Sequence, residues 1–170
     1  MKKTFKYLIS VVIVLLFSTA IYVYWQLSSS QPKLNGQVES GVSELTLVTR
    51  DQQGIPQITA KNRLDVSYAL GYLHGQERFF QMDLLRRNSA GELSELFGKL
   101  ALSHDKRIRI HQFRKRVNEF VRRLPQHHKM ILESYTQGVN KGLSELNNFP
   151  FEYILLDTAP EPWLPQDSML

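Results

Sequence analysis

"GYLHGQERFFQMDLLRR" (Gly71–Arg87) sets two adjacent phenylalanines, a methionine and three leucines among His, Gln, Glu, Asp and three arginines. Asn62 is suited to cap a helix that starts at Arg63, with Asp65 in its first turn favouring the positive end. At 100° per residue, Val66, Ala69, Leu70, Leu73, Phe80 and Leu84 fall on one stripe. Tyr68, Tyr72, Phe79 and Met82 fall nearly opposite. The expectation is one long helix over 63–87, apolar on two faces and held between layers. Glu77 lies within the first stripe, and a buried carboxylate needs a partner or a raised pKa. Its two readings are an ion pair (with Arg78, Arg86, Arg87 or an arginine elsewhere) and a general acid/base. His74, between the stripes, reads as a hydrogen-bonded structural histidine. The i+4 position that would complete a metal pair is Arg78.

Before this helix, "SELTLVTRDQQGIPQITA" holds two β-type runs around a turn at Asp51–Gly54, a hairpin with Pro56 at an edge or bulge. After it, the chain should break near Asn88–Gly91. "GELSELFG" then makes a short turn through Leu93, Leu96 and Phe97, stopped by Gly98. From Asp105, the residues Ile110, Phe113, Val117, Phe120 and Leu124 form one helical stripe. Arg114, Lys115, Arg116, Arg122 and Arg123 lie mostly off it, as a solvated face or a surface for anionic lipid headgroups. Pro125 opens another helix, whose Ile131, Tyr135, Val139 (or Gly138), Leu143 (or Gly142) and Leu146 repeat the spacing. These last two helices are expected to form an antiparallel pair. The tail has four prolines between Pro150 and Leu170, so it cannot be one helix; Trp163 is an apolar anchor, and Asp167 or Ser168 looks like a helix cap.

The N-terminus has Lys2, Lys3 and Lys6, then an apolar stretch from Tyr7 to Leu27 with Tyr22, Tyr24 and Trp25 at its far end. About 20 such residues span a hydrocarbon core, and the lysines place the N-terminus in the cytoplasm. An uncleaved anchor and a signal cleaved near Ser18-Thr19-Ala20 are both open; either exports the remainder of the chain. The 170 residues carry a net charge of +5 and no cysteine. Disulfides, thiolate nucleophiles and Cys-ligated metals are therefore excluded for this chain. The modest basic excess accompanies no nucleic-acid-binding module, and no nucleic-acid partner is expected.

Five stretches taken in order resemble the penicillin acylase (penicillin amidase) family of N-terminal-nucleophile (Ntn) amidohydrolases: "VTRDQQGIPQITA" (Val48–Ala60), "ALGYLHGQERFFQMDLLRR" (Ala69–Arg87), "GELSELFG" (Gly91–Gly98), "YTQGVNKGL" (Tyr135–Leu143) and "PEPWLPQDS" (Pro160–Ser168). One departure is Gln57, where the family usually has His after Gly-x-Pro. The resemblance implies a long precursor cut into an α chain, a spacer and a β chain. The β chain's new N-terminal serine is then the nucleophile and its own α-amino group the base. It also implies that this serine, the oxyanion donors, the acyl-pocket helix and a calcium ligand lie beyond Leu170. Residues 44–170 thus match the opening part of the α chain. No catalytic, substrate-binding or metal residue is assigned within them, and Ser168 is not the nucleophile.

The resulting expectation is an α+β, mostly helical fragment: a membrane or signal helix (1–27), a linker (28–43), then a β-hairpin, a long helix and a helix pair (44–170), part of an αββα architecture when complete. The expected function is the N-terminal portion of an exported acyl-amide hydrolase acting on penicillins or acyl-homoserine lactones, inactive alone. The expected partners are the remaining α- and β-chain segments and the membrane through residues 7–27. No cofactor is expected in this chain, with calcium reserved for the complete protein. The location is the inner membrane with a periplasmic domain, or the periplasm after signal cleavage. The alternative is a membrane-anchored helical binding module or a gene remnant without catalysis.

Overall fold

The structure, a computed structural model, describes residues 2–39 and 41–170, with side chains from residue 5 onward. The Lys2 and Lys3 side chains, expected to mark the cytoplasmic end, lie outside the described residues. The first helix, α1 (Lys2–Ser29), is exposed from Phe5 to Trp25, and its stretch Phe5–Ser29 is long and apolar enough to cross a membrane. Strands β1 (Leu47–Arg50) and β2 (Pro56–Thr59) pair antiparallel, Val48 opposite Ile58 and Arg50 opposite Pro56. Pro56 opens its strand, where its missing N–H removes least from the ladder. The turn between them is closed by Asp51, whose Oδ1 accepts from the amides of Gln53 and Ile55, both at 2.9 Å.

Helix α2 (Arg63–Glu77) begins as its sequence suggests: Asn62 Oδ1 accepts from the Asp65 amide at 2.9 Å. Asp65 also accepts from the Ser43 amide (2.8 Å), the Ser43 hydroxyl (3.0 Å) and the Glu44 amide (3.2 Å). These donors, the Ser43 amide foremost, hold its carboxyl below its ordinary pKa. The helix start is thereby tied to the segment that leads into the hairpin.

The long helix expected over 63–87 is two helices. Arg78 leaves helical geometry (φ −147°, ψ 24°), and α3 (Phe79–Ala90) departs from there to end at Gly91 in the left-handed region (φ 71°). Apolar residues still occupy both expected faces, with Phe79 and Leu73 buried, but Leu70 and Leu85 are exposed. Next come α4 (Ser94–Phe97), stopped at Gly98 (φ 58°), and α5 (Lys99–Arg109). The basic helix expected from Asp105 to Leu124 is also interrupted: Gln112 turns left-handed (φ 52°), and α6 (Phe113–Arg123) starts afresh. Helix α7 (Gln126–Ser144) follows Pro125; α8 (Phe151–Leu155) and a 3₁₀ turn (Pro165–Met169) complete the chain.

The expected antiparallel pairing of the two helices around Pro125 does not occur; α7 packs lengthwise on α2 instead. A Cβ added to Gly71 would meet Tyr135 O at 2.1 Å, and one on Gly75 would meet Val139 O at 2.2 Å. From the other side, Cβ atoms on Gly138 and Gly142 would meet Tyr68 O at 2.0 Å and Tyr72 O at 2.2 Å. Advancing four residues along α2 advances four along α7, so the two helices run parallel. The physical reason is contact depth. Glycines four apart on one face of each helix let backbone approach backbone, whereas α6 offers only side chains, of which Phe113 and Phe120 remain exposed. Side chains extend the seam: Ser134 donates to Leu64 O at 2.7 Å, and Tyr72 to Glu145 at 2.9 Å.

The core closes over this seam. Phe79, Val139, Tyr153 and Trp163 are buried together, with Phe80, Met82, Tyr135 and Leu143 packed around them. At the C-terminal end of α7, the Asn148 amide donates to Ser29 O at 3.1 Å, which sets the end of α1 against that end of the fold. The exposed Arg122 and Arg123 lie by the opposite end of α7, which at 1.5 Å per residue is about 28 Å long. They lie at the other end of α7 from the α1 terminus.

Gly138→Ala is expected to destabilise the fold by about 3 kcal/mol, since the helices must separate to admit the methyl group. Urea unfolding of the detergent-solubilised chain measures this. Gly54→Ala provides a contrast in which no neighbour lies within 4 Å of the added Cβ, so only turn strain is introduced.

Candidate functional site: a buried charge cluster beside an apolar trough

Five carboxylates and three arginines meet where α3, the α4 turn, α6 and the tail converge. Asp83 is fully buried. Its Oδ1 accepts from Arg86 Nε (2.7 Å) and Arg87 Nε (2.9 Å), and its Oδ2 from the Tyr153 hydroxyl (2.6 Å). Arg86 and Arg87 follow Asp83 by three and four residues, so helix geometry alone brings all three together. Arg86 reaches on to Asp167 Oδ2 at 2.6 Å and to the carbonyls of Pro162 (3.0 Å) and Glu161 (3.1 Å). Its guanidinium also lies over the Trp163 ring, 4.9 Å from the centroid. Arg87 pairs with Glu95 and lies 3.4 Å from the Glu161 carboxylate. Arg114 grips Glu92 with two nitrogens (2.7 and 2.5 Å) and Asp167 with a third (2.8 Å).

Electrostatics follow from this geometry. Burial, and then hydrogen bonding to Asp83, push the Tyr153 phenol far above its ordinary value, so it stays protonated as a donor. Burial opposes the charge of Arg114, yet Glu92 and Asp167 outweigh it and hold the guanidinium above its usual value. Asp105, buried within α5 with its carboxylate against the start of α4, behaves similarly. Desolvation would raise its pKa, but donors from Ser94 and Leu93 lower it overall.

Beside the cluster runs an open apolar trough of about 750 Å³. Leu70, Met82 and Leu85 line it from α2 and α3, Phe120 from α6, and Leu132 and Tyr135 from α7. Ser168, Met169 and Leu170 lie along it as well.

The residues singled out from sequence fall into place around these two features. Glu77 is ion-paired with Arg50 on the hairpin, the bridge to an arginine elsewhere that one of its two readings required. His74 Nδ1 lies 2.8 Å from the Tyr135 hydroxyl, and burial lowers its pKa, which favours the neutral ring. Ser168 Oγ accepts from the Trp163 indole N–H at 2.9 Å. Asp167 and Ser168 both lie inside the 3₁₀ turn, where Asp167 Oδ2 accepts from the Leu164 amide at 2.8 Å. Arg114, expected on a solvated face, is consumed by the cluster. Trp163 is the expected anchor, pinned through its backbone amide and carbonyl to Asn140 (2.8 and 2.9 Å). Asp83 was not singled out, although its i, i+3, i+4 spacing with Arg86 and Arg87 was an available signal, and Asp167 was read only as a helix cap.

Chemically, the arrangement is a fastening. Each cluster carboxylate faces an arginine, which suits neither general-base work nor cation binding. Among the described residues no group of three or more His, Asp or Glu side chains could hold a metal ion.

The backbone resembles that of a solved chain of a thermostable penicillin G acylase from Alcaligenes faecalis. The TM-score is 0.65 at 26% identity, covering 78% of this chain and 70% of that one. Residues 46–170 match the penicillin amidase family model, and the chain belongs to that family. Among curated relatives, the penicillin acylase 2 proenzyme of a Pseudomonas species is 37% identical over 144 residues, 84% of this chain and 19% of the proenzyme. Penicillin G acylase of Escherichia coli is 29% identical over 88% of this chain and 17% of its own length. An acyl-homoserine lactone acylase of Pseudomonas fluorescens is 30% identical over 86% and 18% respectively. The chain thus spans under a fifth of the curated relatives it matches.

Asp83→Asn is expected to cost about 3–5 kcal/mol, because it leaves two buried guanidiniums without their shared carboxylate. Lys61→Met, which breaks the exposed Lys61–Glu44 pair, should stay within about 0.5 kcal/mol of the parent. Parallel urea titrations compare the two.

Proposed function

We propose that this chain is the opening portion of an exported acylase precursor whose complete form cleaves acyl amides, penicillins or acyl-homoserine lactones among them. Its role there is to frame the catalytic core. The observation that carries this reading is the contrast in coverage: 19% of a proenzyme, but 70% of one chain of a solved acylase. A piece of that proportion fits the first chain of a processed precursor. The geometry of the charge cluster agrees, since the polar groups gathered in one place are spent on holding the tail and α3 together. On this reading the serine nucleophile, its amine base and any calcium ligands belong to segments beyond Leu170. Helix α1 anchors the protein in the inner membrane or serves as its export signal, and the rest lies in the periplasm.

A second reading treats the chain as a membrane-anchored module that binds a partner. The exposed apolar trough is what favours it, because so large an apolar surface calls for a cover.

The test is an assay of the 170-residue chain and of the complete reading frame against a phenylacetyl amide and a long-chain acyl-homoserine lactone. Turnover is expected from the complete frame after self-cleavage, and none from the isolated chain. Turnover by the isolated chain would overturn the framing role. A complete frame that cleaves neither substrate would favour the binding module.

A further inference from the structure

We infer that the protein has a second membrane contact besides α1: Phe149, Phe151 and Leu155, at the α7–α8 end of the fold, rest in the lipid interface beside the point where α1 emerges. The occupant of this apolar patch is the bilayer leaflet on the exported side. The inference rests on the anchor reading of α1 and adds to it a surface on the exported part.

Three observations carry it. The first is the depth at which the body of the fold meets α1. The Asn148 side-chain amide donates to the Gln26 side chain, the Asn148 backbone amide to Ser29 O at 3.1 Å, and the Ser30 hydroxyl to Phe149 O at 2.7 Å. Gln26 directly follows Tyr22, Tyr24 and Trp25, and such aromatics sit at the membrane–water interface. The body therefore touches α1 at the level of its interfacial residues. A headgroup layer is about 5–7 Å thick on each side, more than the single Cα step of about 3.8 Å from Asn148 to Phe149. Residues 5–25 of α1 are exposed throughout, so a bilayer can close around the span right up to this contact.

The second is that the stretch after α1 is tied down. The Lys33 amide donates to Gln76 Oε1 at 2.8 Å, and the Ser43 amide to Asp65 at 2.8 Å. These bonds keep the body close to the end of α1.

The third is the division of α8 into two faces. Tyr153 is fully buried and donates to Asp83, which fixes one face of the helix inward. Phe151 and Leu155 are four residues apart and share the opposite face, and both are exposed, as is Phe149. Because Tyr153 is held in the charge cluster, α8 cannot roll to hide them. Aromatic and leucine side chains on a short helix beside a spanning segment are the groups that the headgroup–acyl boundary accepts.

Residues 1–170 contain no cysteine, so a single thiol can be placed at will. In the protein made from the complete reading frame, with any later cysteine replaced by serine, the sites are Phe151→Cys and Leu155→Cys in the patch, Leu16→Cys in mid-span, and Arg123→Cys near the other end of α7. All four side chains are exposed, so these changes should not threaten folding. Each thiol carries an environment-sensitive fluorophore, and the protein is reconstituted into phosphatidylcholine vesicles whose lipids bear a nitroxide either high or low on the acyl chain. The expected result is loss of emission at Phe151→Cys and Leu155→Cys with the shallow nitroxide, at Leu16→Cys with the deep one, and at Arg123→Cys with neither. Quenching at Leu16→Cys alone overturns the patch and leaves the anchor standing. Quenching at none of the sites removes the anchor and the patch with it. Patch probes whose emission shifts to the blue but ignores both nitroxides are covered by later polypeptide or by a second copy, which also overturns the contact. Quenching at Arg123→Cys equal to that at the patch would show general adsorption and overturn it as well.

Discussion

The contact of helix backbone with helix backbone along α2 and α7 is the constraint on which the other parts depend. Four glycines, two on each helix and four residues apart, remove the side chains that would hold the helices at ordinary spacing. Once the seam is closed, its neighbours have fixed positions. Val139 is carried to Phe79, Tyr135 to His74, and Asn140 to the backbone of Trp163. The parallel direction of the pair requires the chain to travel the length of the fold between them, and α3 to α6 make that return. A substitution at the seam therefore acts on elements it does not touch.

The charge cluster is the second lock and works differently. It is assembled from parts distant in sequence: Asp83, Arg86 and Arg87 on α3, Arg114 on α6, and Glu161 and Asp167 in the tail. Buried ion pairs bring little net stability over a well-packed apolar core, but they tolerate few alternative arrangements, because a mispaired buried charge is costly. That property suits a fold whose tail must be held in one place against α3 and α6. Family membership and geometry converge here: a chain in the penicillin amidase family gathers its buried polar groups into a fastening and keeps an apolar trough open beside them.

Legibility in the sequence followed the range of the interactions. Local features were readable because their causes are local: the Asp51 turn, the Asn62 cap, the Gly98 stop and the N-terminal apolar helix. The partner of α7 was not. Its periodicity shows that a face is apolar without naming what covers it, and Gly138 and Gly142 looked interchangeable with Val139 and Leu143. Glycines spaced by four on both helices were visible, but their meaning required knowing that the two helices meet. The breaks at Arg78 and Gln112 had no proline or glycine to announce them. The cluster was hidden for a related reason. Single carboxylates and arginines are ordinarily solvated, and only the fold brings Asp167 from the end of the chain to Arg86 and Arg114.

Amide hydrogen exchange across the detergent-solubilised chain tests the central claim most directly, since it reports which helices open together. The account predicts that amides in α2 and α7 are the slowest to exchange and do so as one cooperative unit, with α6 opening earlier and independently. Slow exchange shared by α6 and α7, with α2 exchanging freely, would contradict it.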